Sequence, residues 1–234
     1  MRTKIITLLS FLLMSSLFVS AQKDVTTFLG IPVDGSKSEM KRKLIAKGFK
    51  PKIEDGTEFL EGEFNGRDVH VFIVTNNNKV YRLMLADKLL SDEANIKIRF
   101  NTLVGQFERN NRYTGPSLED TDQRIPDDED ISYEMNVHNK VYEAVFYQKP
   151  DDSKVDTVAL KNEVIQAIYE KYSPEELQNA TDEMKQEIMI SSLIFLEELL
   201  RKKAVWFRIA EYAGEYGINM FYDNEYNHAN GEDL

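Results

Sequence analysis

Three consecutive runs of this chain alternate at a period of two and are joined by turns too short for anything but antiparallel neighbours. Phe59 to Phe64 ends on Asn65-Gly66, two residues that tolerate positive φ and close a tight hairpin. Val69, Val71 and Ile73 then alternate with Asp68, His70 and Phe72. Asn76-Asn77-Asn78 turns the chain again, into Val80 to Ala86, where Tyr81, Leu83 and Leu85 alternate. Successive side chains of a strand point to opposite faces. Such a centre folds as an antiparallel meander with one buried face, and something apolar must cover that face.

The residues before it supply the cover. Ser36 and Glu39 have the spacing of a capping box, in which each side chain satisfies a free backbone N–H. Met40 and Leu44 follow on one helical face, Gly48 stands where a left-handed stop is needed, and Phe49 can fold back on Leu44. This predicts a helix over 36–47. The order then recurs. Ile96, Phe100, Leu103 and Phe107 mark a helix from Ser91 to Arg109, and Ile131–Val137 with Val141–Tyr147 reads as another hairpin. Its turn, Asn139-Lys140-Val141-Tyr142, repeats Asn78-Lys79-Val80-Tyr81. A closing hairpin runs from Val205, Phe207 and Ile209 to Ile218, Met220 and Tyr222 around Gly214 and Gly217. The expected fold is α+β: a helix-plus-antiparallel-meander unit, duplicated, the first over 22–90 and the second over 91–234. A helical pair is inserted in the second at about 153–203, capped by Ser153 with Asp156 and by Ser173-Pro174-Glu175-Glu176. The alternative is a single α+β sheet with two similar turns.

Arg2 and Lys4, an apolar stretch from Ile5 to Val19 and the small residues Ser20-Ala21 read as a secretory signal peptide cut after Ala21. The apolar run is short of the roughly 20 residues that cross a bilayer as a helix, so the expectation is a periplasmic or secreted protein with no membrane span after cleavage. Without Arg2 and Lys4 the 29 basic residues become 27 against 40 acidic ones, a net charge of −13. Such a surface repels nucleic acid. The absence of cysteine removes disulfides, thiolate nucleophiles and cysteine metal sites.

Motifs for catalysis are missing. Gly115-Pro116-Ser117-Leu118-Glu119 lacks the second glycine of a nucleophile elbow, and the three histidines have no zinc-hydrolase spacing. His70 reads as a half-exposed strand residue, and His138 as part of a hairpin turn. His228 sits in a polar tail beside Asp223, Asn224 and Asn227, and is the site candidate among the three histidines. The loop from Tyr113 to Asp130 is rich in carboxylates (Glu119, Asp120, Asp122, Asp127 to Asp130) but does not match the calcium-loop spacing. No cofactor or metal is expected.

Two features point to contacts instead. Trp206, Phe207, Tyr212, Tyr216, Phe221, Tyr222 and Tyr226 crowd the closing hairpin, and alternation sends half of them to an open face, where Tyr and Trp make good contacts. Ile188 to Leu200 is apolar on nearly every side, as expected of a buried helix; its alternative is a contact with a partner or a second copy of this chain. The tail Tyr222-Asp223-Asn224-x-Tyr226-Asn227-x-Ala229-Asn230-Gly231-Glu232-Asp233-Leu234 and the stretch Phe28-Leu29-Gly30-Ile31-Pro32-Val33-Asp34-Gly35 resemble both ends of uncharacterised exported proteins of Bacteroides-type bacteria. That resemblance implies export and an α+β fold and carries over no functional residue. The repeated helix-plus-meander order resembles the tandem β-lactamase-inhibitor-like arrangement, which implies partner binding on an open sheet face. The expected function is therefore an exported, non-catalytic protein that binds an envelope protein or a glycan, with Trp206, Tyr222, Asp223 and His228 as binding residues. The other reading is a carboxylate-based enzyme or carbohydrate binder using Asp223 and His228.

Overall fold

The computed structural model describes residues 24–116, 122–151 and 157–228, apart from the side chains of 157–161, 163 and 164. The signal peptide expected at 1–21, Glu119 and Asp120 of the acidic loop, the cap expected of Ser153 with Asp156, and the tail from Ala229 lie outside the described residues.

The chain is α+β. A two-residue hairpin, β1 (Thr27–Phe28) and β2 (Ile31–Pro32), leads into α1 (Lys37–Ala46), whose Ser36–Glu39 capping box forms as expected. Four strands follow: β3 (Lys50–Glu54), β4 (Thr57–Phe64), β5 (Arg67–Asn76) and β6 (Lys79–Asp87). The helix α2 (Glu93–Arg109) opens the second half, which continues through β7 (Tyr113–Thr114), α3 (Ile131–His138) and β8 (Glu143–Gln148). Three helices, α4 (Thr157–Lys171), α5 (Pro174–Gln178) and α6 (Asp182–Arg201), precede the closing hairpin β9 (Ala204–Tyr212) and β10 (Glu215–Asp223). In the first half four consecutive strands follow α1, whereas in the second half four strands are interspersed with four further helices after α2. The two halves join in one eight-stranded antiparallel sheet, ordered β3-β4-β5-β6-β10-β9-β8-β7.

Alternation sets what each face carries. Leu60, Val71, Leu85, Met220 and Phe207 lie in register on one face, and α1 and α2 press Met40, Leu44, Ile96, Phe100, Leu103 and Phe107 onto it. Phe28, Ile31 and Val33 of the N-terminal segment complete the same core. Under α2 the packing is aromatic: Phe107 stacks on Phe146 at 4.7 Å, and Phe100 meets Phe207 edge-on at 5.1 Å. Gly62 is the point of closest approach, because a Cβ there would lie 2.5 Å from the Phe49 ring.

Three expectations change. Residues 131–137 are helical, not a strand. Asp130 caps Tyr133 N, Ile131 is buried, and Met135 packs against the core one turn later, so the apolar residues that mimic a period of two serve a helix. The shared Asn-Lys-Val-Tyr motif therefore marks two different turns, a hairpin at Asn78 and a helix end at Asn139. What they have in common is a left-handed asparagine before a strand, at φ 60° and 54°. His138 closes α3, 2.8 Å from Glu134. The inserted helical pair is three helices, since Thr181 caps Met184 N and starts α6 afresh. And α6 is not buried: Met189, Ile190, Leu193, Ile194 and Leu196 are all exposed. No helix among the described residues is long and apolar enough to cross a membrane.

The described part of the acidic loop is built into the fold. Asn101 bonds both N and O of Ile125, and the Gln123 side-chain amide bonds both N and O of Val145, filling a place on β8 that the short β7 leaves open. Arg124 joins Asp122 and Glu108. Glu129 takes bonds from Lys140 and then Tyr142, which hold its carboxyl below the usual range, while burial and Glu129 push the Tyr142 phenol up.

Candidate interaction face

The face of the sheet opposite α1 and α2 carries a row of apolar side chains across six strands. From β4 to β8 it reads Phe59, Phe72, Met84, Phe221, Trp206 and Val145, neighbours by strand register. Phe59 and Phe221 are buried by their neighbours, and the other four are half-buried. Trp206 lies flat on Phe221, ring centroids 3.9 Å apart at 17°, and Phe59 sits 5.6 Å from Phe72. Phe59 also packs on His70, at 4.5 Å, so His70 is a half-exposed strand residue as expected.

Two arginines stand over the row. The Arg82 guanidinium is 5.1 Å from the Phe221 ring and 5.4 Å from Trp206; that of Arg208 is 5.9 Å from Phe221. Contact between a guanidinium and an aromatic face is favourable and leaves the N–H groups directed outward. Arg82 spends two of them on Asp223, with Nε at 2.6 Å from Oδ1 and Nη2 at 2.8 Å from Oδ2. Asp223 also accepts from Trp206 Nε1 at 2.8 Å. Its carboxylate, 5% exposed, is thus held by three donors and fixes both Arg82 and the indole. Hydrogen bonding to Asp223 raises the Arg82 pKa. Arg208 is exposed and forms no ion pair among the described residues; it is placed between Asn219 and Glu143 in a polar row parallel to the apolar one.

The four residues singled out from sequence separate. Trp206 and Asp223 share the open face, and Asp223 acts there by holding Trp206 rather than by offering a free carboxylate. Tyr222 does not join them. One residue along the strand, it points to the other face, 3% exposed, with its ring 4.9 Å from Phe28. His228 is exposed at the end of the sheet, edge-on to Tyr81 at 5.1 Å, and shares no hydrogen bond with Asp223. The sequence reading missed Arg82, Arg208, Phe72, Met84 and Val145. Their signal was available in the alternation: each occupies the off-core position of its strand, but the register that lines them up is set by pairing between β6 and β10, which brings Met84 beside Phe221, 137 residues later in the chain.

The tail motif has a structural task. Asn224 Nδ2 bonds Val33 O at 2.7 Å, Asn227 Nδ2 bonds Asp34 Oδ1 at 2.7 Å and Val80 O at 2.9 Å, and Thr26 Oγ1 donates to Asp223 O. The segments 26–34 and 223–227 are clasped together by these side chains. Among the described residues no group of three or more His, Cys, Asp or Glu is arranged to hold a metal ion. Compared with protein-family models, with curated proteins and with solved structures, the chain matches none.

Proposed function

We propose that this is an exported, non-catalytic protein of the cell envelope, periplasmic or secreted, that docks another macromolecule on the open face of its sheet, a protein surface before a glycan. One observation carries the reading: the continuous row from Phe59 to Val145, four of its six side chains half-buried, flanked by Arg82 and Arg208 and pre-ordered by Asp223. Binding hot spots are typically aromatic and arginine side chains with their geometry already set, because little further ordering is lost on association. The basic, apolar and small segments at 1–21 support export. The strong net negative charge supports an association that depends on salt.

The test is capture of partners from envelope extract on the purified protein, comparing it with Phe72→Glu combined with Arg208→Glu. Both side chains reach solvent, so the variant should keep its circular dichroism and melting temperature. A near-stoichiometric partner retained by the native protein and lost by the variant is the expected result. Equal retention by both proteins sinks the reading, and a glycan array that responds to the native face alone moves it from protein to carbohydrate.

A further inference from the structure

On the other side of the sheet, between the β4–β5 turn and the C-terminal half of α2, lies a cleft of about 330 Å³. Its apolar walls come from Leu29, Phe64, Phe107, Tyr113, Met220 and Tyr222. Phe64 meets Tyr222 edge-on at 6.3 Å and Phe107 meets Tyr113 edge-on at 4.8 Å, so rings form both the floor and one side. A volume near 300 Å³ lined mainly by apolar and aromatic side chains, with a few polar groups, is the usual form of a small-molecule site. Asn65 Nδ2 donates to Gln106 Oε1 at 2.8 Å and bridges one end of the mouth from turn to helix.

A second, independent observation is the backbone at Leu29. The β1–β2 connection has two central residues, Leu29 at φ 50° and Gly30 at φ 77°, both left-handed. A turn of this kind favours Asn-Gly, because asparagine tolerates the left-handed region and leucine does not. Leucine stands there all the same, with its side chain 42% exposed on the rim of the cleft. Neither backbone preference nor burial explains that choice. A rim leucine held in an unfavourable conformation is explained by what it covers once the cleft is filled, since strain of this sort is retained at ligand clamps.

We infer that this cleft binds a small uncharged molecule with an aromatic or aliphatic body, roofed by Leu29. The polar groups at its base are already paired: Tyr222 bonds Tyr113, and the Tyr113 hydroxyl accepts from Gln148 Nε2 at 3.2 Å. A ligand therefore brings no charge to satisfy them. Among the lining residues the one acidic side chain is Glu63, at the mouth, where it repels an anion. The site lies on the face opposite the docking surface, so either can fail without the other.

The experiment is a fluorescence titration of the purified protein with N-phenyl-1-naphthylamine, a neutral aromatic amine, beside 8-anilinonaphthalene-1-sulfonate, its anionic counterpart. Saturable one-to-one binding of the neutral probe is expected, tighter than that of the sulfonate by about tenfold or more. Leu29→Asn should weaken the neutral probe about tenfold while raising Tm by about 2–4 °C, because relief of backbone strain and loss of the roof act in opposite directions. Leu29→Gly, which also fits the turn, should weaken it similarly, so a folding defect peculiar to asparagine is distinguished. Glu63→Gln should improve the sulfonate and leave the neutral probe unchanged. No saturable binding by the native protein, or an affinity for the neutral probe unchanged from the native one in both Leu29 variants, overturns the inference.

Discussion

On one face of the sheet Phe207 lies beneath α2, ringed by Phe100, Phe107 and Phe146; one residue back along the same strand, Trp206 lies flat on Phe221 with Arg82 and Arg208 above it. The backbone treats these two side chains alike. What differs is the neighbour. The core face is closed by two helices and the N-terminal segment, and its packing is mainly apolar, with the Tyr222–Tyr113–Gln148 bonds at one end. On the open face α6 reaches Tyr147 through Arg201, and the row from Phe59 to Trp206 is ordered by the sheet's own side chains, above all through the polar bonds of Asp223. The comparison teaches that aromatic density in a strand does not indicate function. The indication comes from whether the rings are covered by another element or held in place beside water.

The largest expected effect breaks the covered face. Phe207→Ala removes a fully buried ring whose three aromatic neighbours cannot all collapse into the space, and should cost about 3–5 kcal/mol in urea unfolding. Trp206→Ala removes a ring of greater size from the open face, yet water can enter behind it and the loss should be smaller. Equal losses at the two positions would mean that the open face is as closed as the core.

Next come the two partners of the ion pair. Arg82→Ala leaves the Asp223 carboxylate almost without solvent and with Trp206 Nε1 as its remaining side-chain donor, which should cost about 3–5 kcal/mol. Asp223→Ala leaves the Arg82 guanidinium, 26% exposed, able to recover water, and should cost clearly less. The asymmetry is checked by denaturation of both variants and the double variant, whose loss should fall well short of the added single losses. If Asp223→Ala is the worse of the two, the pair matters through Trp206 and not through charge.

How much of this can be read in the sequence follows the same division. The first meander, the Ser36 capping box, the α2 stripe and the closing hairpin are legible because each rests on local periodicity and turn chemistry. The strand expected at 131–137 fails because four apolar residues at a spacing of two also place Ile131 and Met135 one helical turn apart, and Asp130 decides between the two readings. The expected burial of Ile188 to Leu200 fails because composition states that a helix is apolar, not that anything packs on it. Trp206 and Asp223 are legible as a dense aromatic and acidic tail, but their partnership with Arg82 depends on a register between distant strands. The stretches 28–35 and 222–227 are related in the same way: Phe28 with Tyr222, Val33 with Asn224 and Asp34 with Asn227 are contacts, so the two stretches are halves of one clasp.

The smallest effect sharpens the contrast at a single residue. Tyr222, the core-facing neighbour of Phe221, has its phenol pushed well above the ordinary value near 10, first by burial and then by Tyr113. The folded chain therefore holds that proton more tightly than the unfolded chain does. Stability from this group is fully present below about pH 10 and is lost as the pH rises beyond it, because the unfolded state ionises first. Tyr222→Phe keeps the ring and removes the proton. At pH 8 it should cost about 1 kcal/mol for the lost hydroxyl bond, and between pH 8 and pH 11 its urea midpoint should fall less than that of the native protein. Burial also raises the Tyr142 phenol, so some alkaline loss remains in the variant. An alkaline slope identical to the native one would show that the Tyr222 hydroxyl reaches water, and that the core face is open at the floor of the cleft it lines.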